Sequence, residues 1–181
     1  LIFDDFVRIY FSTRKRDVAS GKFLSFISFA DFDKKFERIL NISKDVVIEL
    51  GGLGSFDEHG IFPINILRHG GKIYAYTCGW SRRVSVSVET STGLAFSEDD
   101  GLTFQKVGSG PVLTSSLLEP VLVGDSFVRV YNNVFHMWYI FGKGWKNANE
   151  NEPPARVYKI RHAVSDNGID WKKEEGKNII S

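Results

Sequence analysis

The stretch Ser97-Glu98-Asp99-Asp100-Gly101-Leu102-Thr103-Phe104, SEDDGLTF, decides how the rest of the chain is read. Asp side chains hydrogen-bond turn amides and Gly relieves backbone strain, so the octet predicts a pinned hairpin turn that ends on an aromatic anchor. Shorter or looser versions recur as SDNGIDW, Ser165 to Trp171, and ADFDKKF, Ala30 to Phe36. The anchors Phe36, Phe104 and Trp171 lie 68 and 67 positions apart, which marks an internal repeat.

Upstream of each turn lies an alternating segment: FVRIYFS from Phe6, KIYAYTC from Lys72 and VFHMWYI from Val134, with Tyr10, Tyr76 and Trp138 at corresponding places. A two-residue turn precedes each one: Asp4-Asp5, Gly70-Gly71 and Asn132-Asn133, residue types that supply the positive φ of tight hairpins. Apolar tails close the repeats at Val46-Val47-Ile48, Pro111-Val112-Leu113 and Asn178-Ile179-Ile180. The second repeat holds four strands, placed near 62–67, 72–78, 91–97 and 103–107. Tandem four-stranded antiparallel units are the blades of a β-propeller, so the fold class is all-β, with repeats at about 1–48, 49–113 and 114–181. A sandwich of short strands is the alternative architecture. Alignment of the turns sets Leu1 level with Leu67. The expectation is therefore slightly under three blades of a larger ring, a fragment that self-associates through exposed blade faces.

The 181 residues carry 23 Lys and Arg against 22 Asp and Glu, a net charge of +1, so there is no broad electrostatic footprint for nucleic acid. The single Cys78 excludes an intrachain disulfide and a Cys-based zinc site. No His/Asp/Glu spacing specifies a metal, no dinucleotide or Walker loop is present, and no cofactor is expected. Apolar stretches fall short of the ~18 to 20 residues of a membrane span, and no targeting segment is visible. A cytoplasmic protein with no membrane partner is the expectation.

In a propeller, the loops leading into the innermost strands populate the ligand face. Two such loops are complete, 49–61 (ELGGLGSFDEHGI) and 114–126 (TSSLLEPVLVGDS). Asp57, Glu58 and His59 form the densest cluster of reactive groups: a carboxylate there can act as base, nucleophile or pKa modulator, with His59 as proton partner. A surface acidic turn is the plainer reading. Glu119, flanked by apolar residues, is a candidate general acid, because partial burial raises a carboxyl pKa. Asp125 is read as serving a turn with Gly124. Trp80 and Trp145, in CGWSRR and FGKGW, are suited to stacking on sugar rings, and Arg82, Arg83 and Lys143 to binding hydroxyl or anionic groups. Arg14, in STRKRD, occupies the corresponding basic segment of the first repeat, so three basic segments concentrate positive charge on one face and fit an anionic or phosphorylated ligand. His136 and His162 lie within strands and read as ordinary half-buried residues.

The segments FDEHGIFPINILRHGGKIYAYTCGW and FHMWYIFGKGW, with SEDDGLTF and YKIRHAVSDNGIDW, resemble the five-bladed propellers of the arabinanase, levansucrase and invertase superfamily, the glycosyl hydrolase family 43 and 32-like proteins. The resemblance covers nearly the whole chain and implies a ring of five blades, of which this chain supplies about three. It implies catalytic carboxylates on loops of successive blades, with Asp57 as orienting carboxylate and Glu119 as acid. The DEH triplet departs from the usual motifs and leaves Asp57 and Glu58 open as alternatives. Two functions follow: a glycoside hydrolase or phosphorylase acting on an oligosaccharide or sugar conjugate, or a non-catalytic carbohydrate-binding or assembly module of polysaccharide metabolism. SEDDGLTF alone, as an Asp box, suggests a sialidase more weakly.

Overall fold

The computed structural model describes residues 1–147 and 153–174, and within them the chain forms strands and turns without a helix. Antiparallel strands β1 (Phe6–Arg16), β2 (Phe23–Asp33) and β3 (Ile39–Ile42) form a first sheet. A second contains β4 (Gly60–His69), β5 (Lys72–Arg82), β6 (Val88–Ser97) and β7 (Gln105–Lys106) in order. The third contains β8 (Val121–Tyr131), β9 (Val134–Lys146), β10 (Ala155–Ser165) and β11 (Lys172–Lys173), likewise in order. A lone parallel bridge, Ser25 to Gly60, links the first two sheets, so they are separate blades that touch rather than one continuous sheet. Residues Leu1 to Phe3 lie antiparallel to the start of β1: the Arg8 amide donates to the Leu1 carbonyl at 2.9 Å.

Blade position explains the composition of each strand. In β9 the burial alternates, with Phe135, Met137, Tyr139 and Phe141 buried and Val134, His136, Trp138 and Ile140 only half-buried, as a strand covered on one face requires. The buried set packs on Tyr76, Leu94 and Leu113 of the second blade. The other face of the second blade meets Ile27, Phe29, Val47 and Ile48 through Ile73, Ala75, Ala95 and Phe104. Its central strands are thus covered on both faces, which is why alternation weakens there and small residues appear.

The pinned turns also join blades. In the second blade, the Ser97 hydroxyl donates to Asp99 at 2.7 Å, and Asp99 accepts from the Thr103 amide and hydroxyl at 2.9 and 2.6 Å. Burial pushes the Asp99 carboxyl up, but these donors outweigh it and hold the group below its ordinary value. In the third blade Asn167 replaces Asp99 and accepts from the Ile169 and Asp170 amides at 2.9 Å. The Tyr10 hydroxyl then donates to the Gly101 carbonyl at 2.7 Å, and Tyr76 donates to Gly168 at 3.0 Å. Phe104 and Trp171 meet the same two tyrosines edge-on, each at 5.8 Å. One contact is therefore repeated at two blade junctions.

Two local expectations need correction. Phe36 remains 55% exposed against 5% for Phe104: among the described residues its ring meets Phe32 of its own sheet, whereas Phe104 packs on Tyr10 of the neighbouring blade. Gly70-Gly71 and Asn132-Asn133 adopt positive φ at all four residues, whereas Asp4 and Asp5 do not; there the Phe3 amide closes the bend on the Phe6 carbonyl. The tail Asn178-Ile179-Ile180 lies outside the described residues.

Candidate functional site

The segments that cross from one blade to the next carry the two acids singled out above, and the structure buries both. Phe56 lies over β5 and β6 where only glycine leaves room: a Cβ on Gly79 would meet its ring at 2.4 Å, and one on Gly93 would meet it at 2.6 Å. Asp57 follows, 1% exposed, with Lys106 Nζ of β7 at 2.5 Å from Oδ2; its oxygens accept no hydrogen bond among the described residues. Glu119 is 0% exposed: Tyr139 Oη donates to Oε1 at 2.7 Å, Lys173 Nζ donates to Oε2 at 2.6 Å, and Arg161 Nη1 lies 3.0 Å from Oε1. Lys106 and Lys173 are 67 positions apart, the repeat spacing, so the two ion pairs are equivalent ties between a crossing segment and the outermost strand of its blade.

The neighbours of Asp57 diverge from it. Glu58 Oε2 accepts from the Gly54 amide at 3.1 Å, and its other oxygen is 4.0 Å from His59 Nε2. His59 stacks on Trp80 at 5.9 Å and accepts the Arg82 amide on Nδ1 at 3.3 Å. Burial first and the Arg82 charge second push the His59 pKa below its ordinary value, which keeps the imidazole neutral near pH 7.

A cleft of about 240 Å³ opens where the three blades converge. Arg14, Phe23 and Ser25 contribute from the first blade, Phe62, Cys78 and Trp80 from the second, and Asp125, Arg156 and Tyr158 from the third. Asp125 reaches it through a defect in β8. The register shifts between Val121 and Val123 and again between Gly124 and Phe127, and Leu122 and Asp125 adopt φ of 51° and 50°. Such bulges re-aim side chains. Gly124 is needed for the approach, since a Cβ there would meet Cys78 Sγ at 2.5 Å. The sequence reading of Asp125 as a turn residue ahead of a strand at Phe127 is thus corrected: it sits at a bulge inside β8, which already begins at Val121, and it lines the cleft. The cleft walls desolvate the Asp125 carboxyl and raise its pKa, against the opposing pull of a Cys78 hydrogen bond and the Arg156 charge. Burial, with the Asp125 charge behind it, pushes the Cys78 thiol up to about 12.

Of the remaining candidates, Arg83 and Trp145 line an adjacent cleft of about 310 Å³ that shares Val88 and Leu122 with the first. Arg83 is ion-paired with Glu89, and Trp145 lies 5.3 Å beneath the Arg156 guanidinium. Arg82 stands behind Trp80, 5.6 Å from its ring, and donates to the Phe23 carbonyl at 2.6 Å. Trp80 and Arg14 thus share the central cleft, Arg83 and Trp145 occupy its neighbour, and Asp57, Glu58, His59, Arg82 and Glu119 line neither. His136 and His162 are 3.0 Å apart between ring nitrogens on the half-covered face of the third blade, and Glu174 lies 3.2 Å beyond.

Four-stranded antiparallel blades with a ligand-sized cleft where they converge form the fold of the five-bladed β-propeller glycoside hydrolases. Similar solved structures include a thermostable family-43 glycoside hydrolase (TM-score 0.65, 18% identity, covering 100% of this chain and 54% of that one). Others are Zg3597, a family 117 glycoside hydrolase of the marine bacterium Zobellia galactanivorans (0.64, 14%, 99% and 45%), and the Bombyx mori GH32 β-fructofuranosidase BmSUC1 (0.63, 13%, 95% and 32%). The chain spans about half or less of the length of these structures. No protein-family model and no curated protein matches its sequence.

Proposed function

We propose that the protein binds a sugar or sugar conjugate in the central cleft, as part of a glycoside-acting propeller. The observation that carries this reading is the convergence of three blades on one concavity holding an indole, a phenol, two guanidinium groups and a carboxyl of raised pKa. Trp80 and Tyr158 supply flat apolar faces for a pyranose or furanose ring. Asp125 is suited to accept a hydroxyl hydrogen bond or, when protonated, to donate one to a glycosidic oxygen. The propeller-glycosidase fold of the similar structures supports a sugar as the ligand.

Hydrolysis of a glycoside ordinarily uses two carboxyl groups about 5 to 10 Å apart. Among the described residues lining the cleft Asp125 is the one carboxyl, so in this reading the three blades supply sugar-binding walls and one member of such a pair. The buried geometry of Asp57 and Glu119 favours structural ties over direct attack on a substrate. Titration against a glycan array and a panel of aryl glycosides tests the proposal. Sugar binding is expected to be lost in Trp80→Ala, and any turnover in Asp125→Asn. Undiminished binding by Trp80→Ala would refute the placement of the site.

A further inference from the structure

We infer that the ligand of the central cleft carries an oxyanion, a phosphate or carboxylate on the sugar, held between Arg14 of the first blade and Arg156 of the third. This deepens the sugar-binding reading and rests on it. Elsewhere the arginine side chains find a partner of one of two kinds: Arg8, Arg38, Arg68, Arg83 and Arg161 face a carboxylate, and Arg16, Arg82 and Arg129 donate to a backbone carbonyl. Among the described residues the two arginine side chains of the cleft have neither kind of partner. Arg14 is exposed, and its side chain makes no hydrogen bond or ion pair among the described residues. Among the described residues Arg156 donates to neutral oxygens, Tyr158 Oη at 3.1 Å and Ser87 Oγ at 2.9 Å, and has no carboxylate within ion-pair distance. These two bonds, and Trp145 beneath the guanidinium, preset the orientation of Arg156.

Against these two cations the described lining presents a single carboxyl, Asp125, so that lining is net positive when every group is ionised. A planar guanidinium fork matches phosphate or carboxylate in two parallel hydrogen bonds, and Arg14 and Arg156 bring two such forks to the cleft from different blades, alongside the Trp80 indole. The whole-chain charge of +1 conceals this local excess.

The test uses matched sets of glucose, glucuronate and glucose 6-phosphate, the corresponding galactose set, and inorganic phosphate alone, titrated by calorimetry into the whole chain and into Arg14→Gln and Arg156→Gln. Arg129→Gln, whose guanidinium stacks on Phe127 away from the cleft, is the control. One acidic sugar should bind roughly tenfold or more tighter than its neutral counterpart, weaken with added salt, and fall to the neutral value in both cleft variants but not in the control. A better fit of the phosphate or of the uronate arm then identifies the source of the anion. Equal affinity for neutral and acidic sugars, or unchanged affinity in both cleft variants, overturns the anion assignment and leaves sugar binding standing. Binding of inorganic phosphate alone, with acidic sugars no tighter, overturns the sugar reading instead. Failure of every probe to bind overturns both.

Discussion

Replacing Glu119 by Gln separates a structural carboxylate from a catalytic one. The side chain is fully buried, and its oxygens engage Tyr139, Arg161 and Lys173. Glutamine preserves the shape and one acceptor, so the Tyr139 bond can survive, but it turns an NH₂ group toward a cation. Arg161 and Lys173, whose side chains are 5% and 13% exposed, then lose their counter-charge. Breaking a buried ion pair by removing one partner costs about 3–5 kcal/mol. With a urea dependence of about 2 kcal/mol per molar, the unfolding midpoint should fall by roughly 1.5–2.5 M. Urea titrations followed by both far-ultraviolet circular dichroism and tryptophan fluorescence measure this and show whether the blades unfold together. Lys173→Met should cost less, because Arg161 remains. The double variant should be more stable than the sum of the single losses predicts, with a coupling of about 1–3 kcal/mol. A midpoint for Glu119→Gln within about 0.3 M of the parent, or strict additivity in the double variant, would refute the ion-pair argument and return Glu119 to the role of free acid.

Other consequences are equally direct. Gly79→Ala places a Cβ 2.4 Å from Phe56 and 2.6 Å from Asp57 Cβ, so it should cost about 1–3 kcal/mol in thermal or urea unfolding, whereas Gly52→Ala, with nothing within 4 Å, should stay within about 0.5. Asp99→Ala removes the acceptor for Thr103 and Ser97 and should destabilise by about 1–2 kcal/mol. Because the folded Asp99 pKa is depressed, its contribution is present above pH 3.8 and lost as pH falls through the folded value, a slope that Asp99→Asn should lack. Asp125 has the opposite sign. Its raised folded pKa gives a contribution that is complete below pH 3.8 and lost as pH rises through the folded value, so the parent should lose stability relative to Asp125→Asn across that window, as read from unfolding midpoints at a series of pH values.

The blade pattern was legible because its signals are local. A turn that needs positive φ shows its glycines and asparagines, and an aromatic that closes a blade junction recurs at the repeat spacing. Phe36 shows the limit of that logic: the residue type recurs, but its environment depends on a neighbouring blade. Burial of the two acids was harder to read, since the partner of Asp57 lies 49 positions away on a two-residue strand and that of Glu119 lies 54 positions away. Apolar residues around Glu119 signalled burial and are compatible with either a perturbed acid or a paired one; the lysine two residues after Phe104 and after Trp171 was the sign that favoured pairing. Asp125 was legible only as a turn residue, because alternation along a regular strand cannot anticipate two bulges in β8.

The buried ties and the cleft are linked through the chain. Glu119 precedes Val121 and Leu122, where β8 first departs from register, and Asp57 precedes Gly60, where a Cβ would meet the Trp80 indole nitrogen at 2.3 Å. Each ion pair anchors a crossing segment a few residues before that segment contributes to the cleft walls. Loss of a tie therefore carries two separable consequences, a lower unfolding midpoint and a looser placement of Asp125 or Trp80. Sugar affinity measured well below the unfolding midpoint should fall in Glu119→Gln even where the chain remains folded. Preserved affinity in a destabilised variant would show that the bulges of β8, through Gly124 packed against Cys78, fix Asp125 without help from the crossing segment.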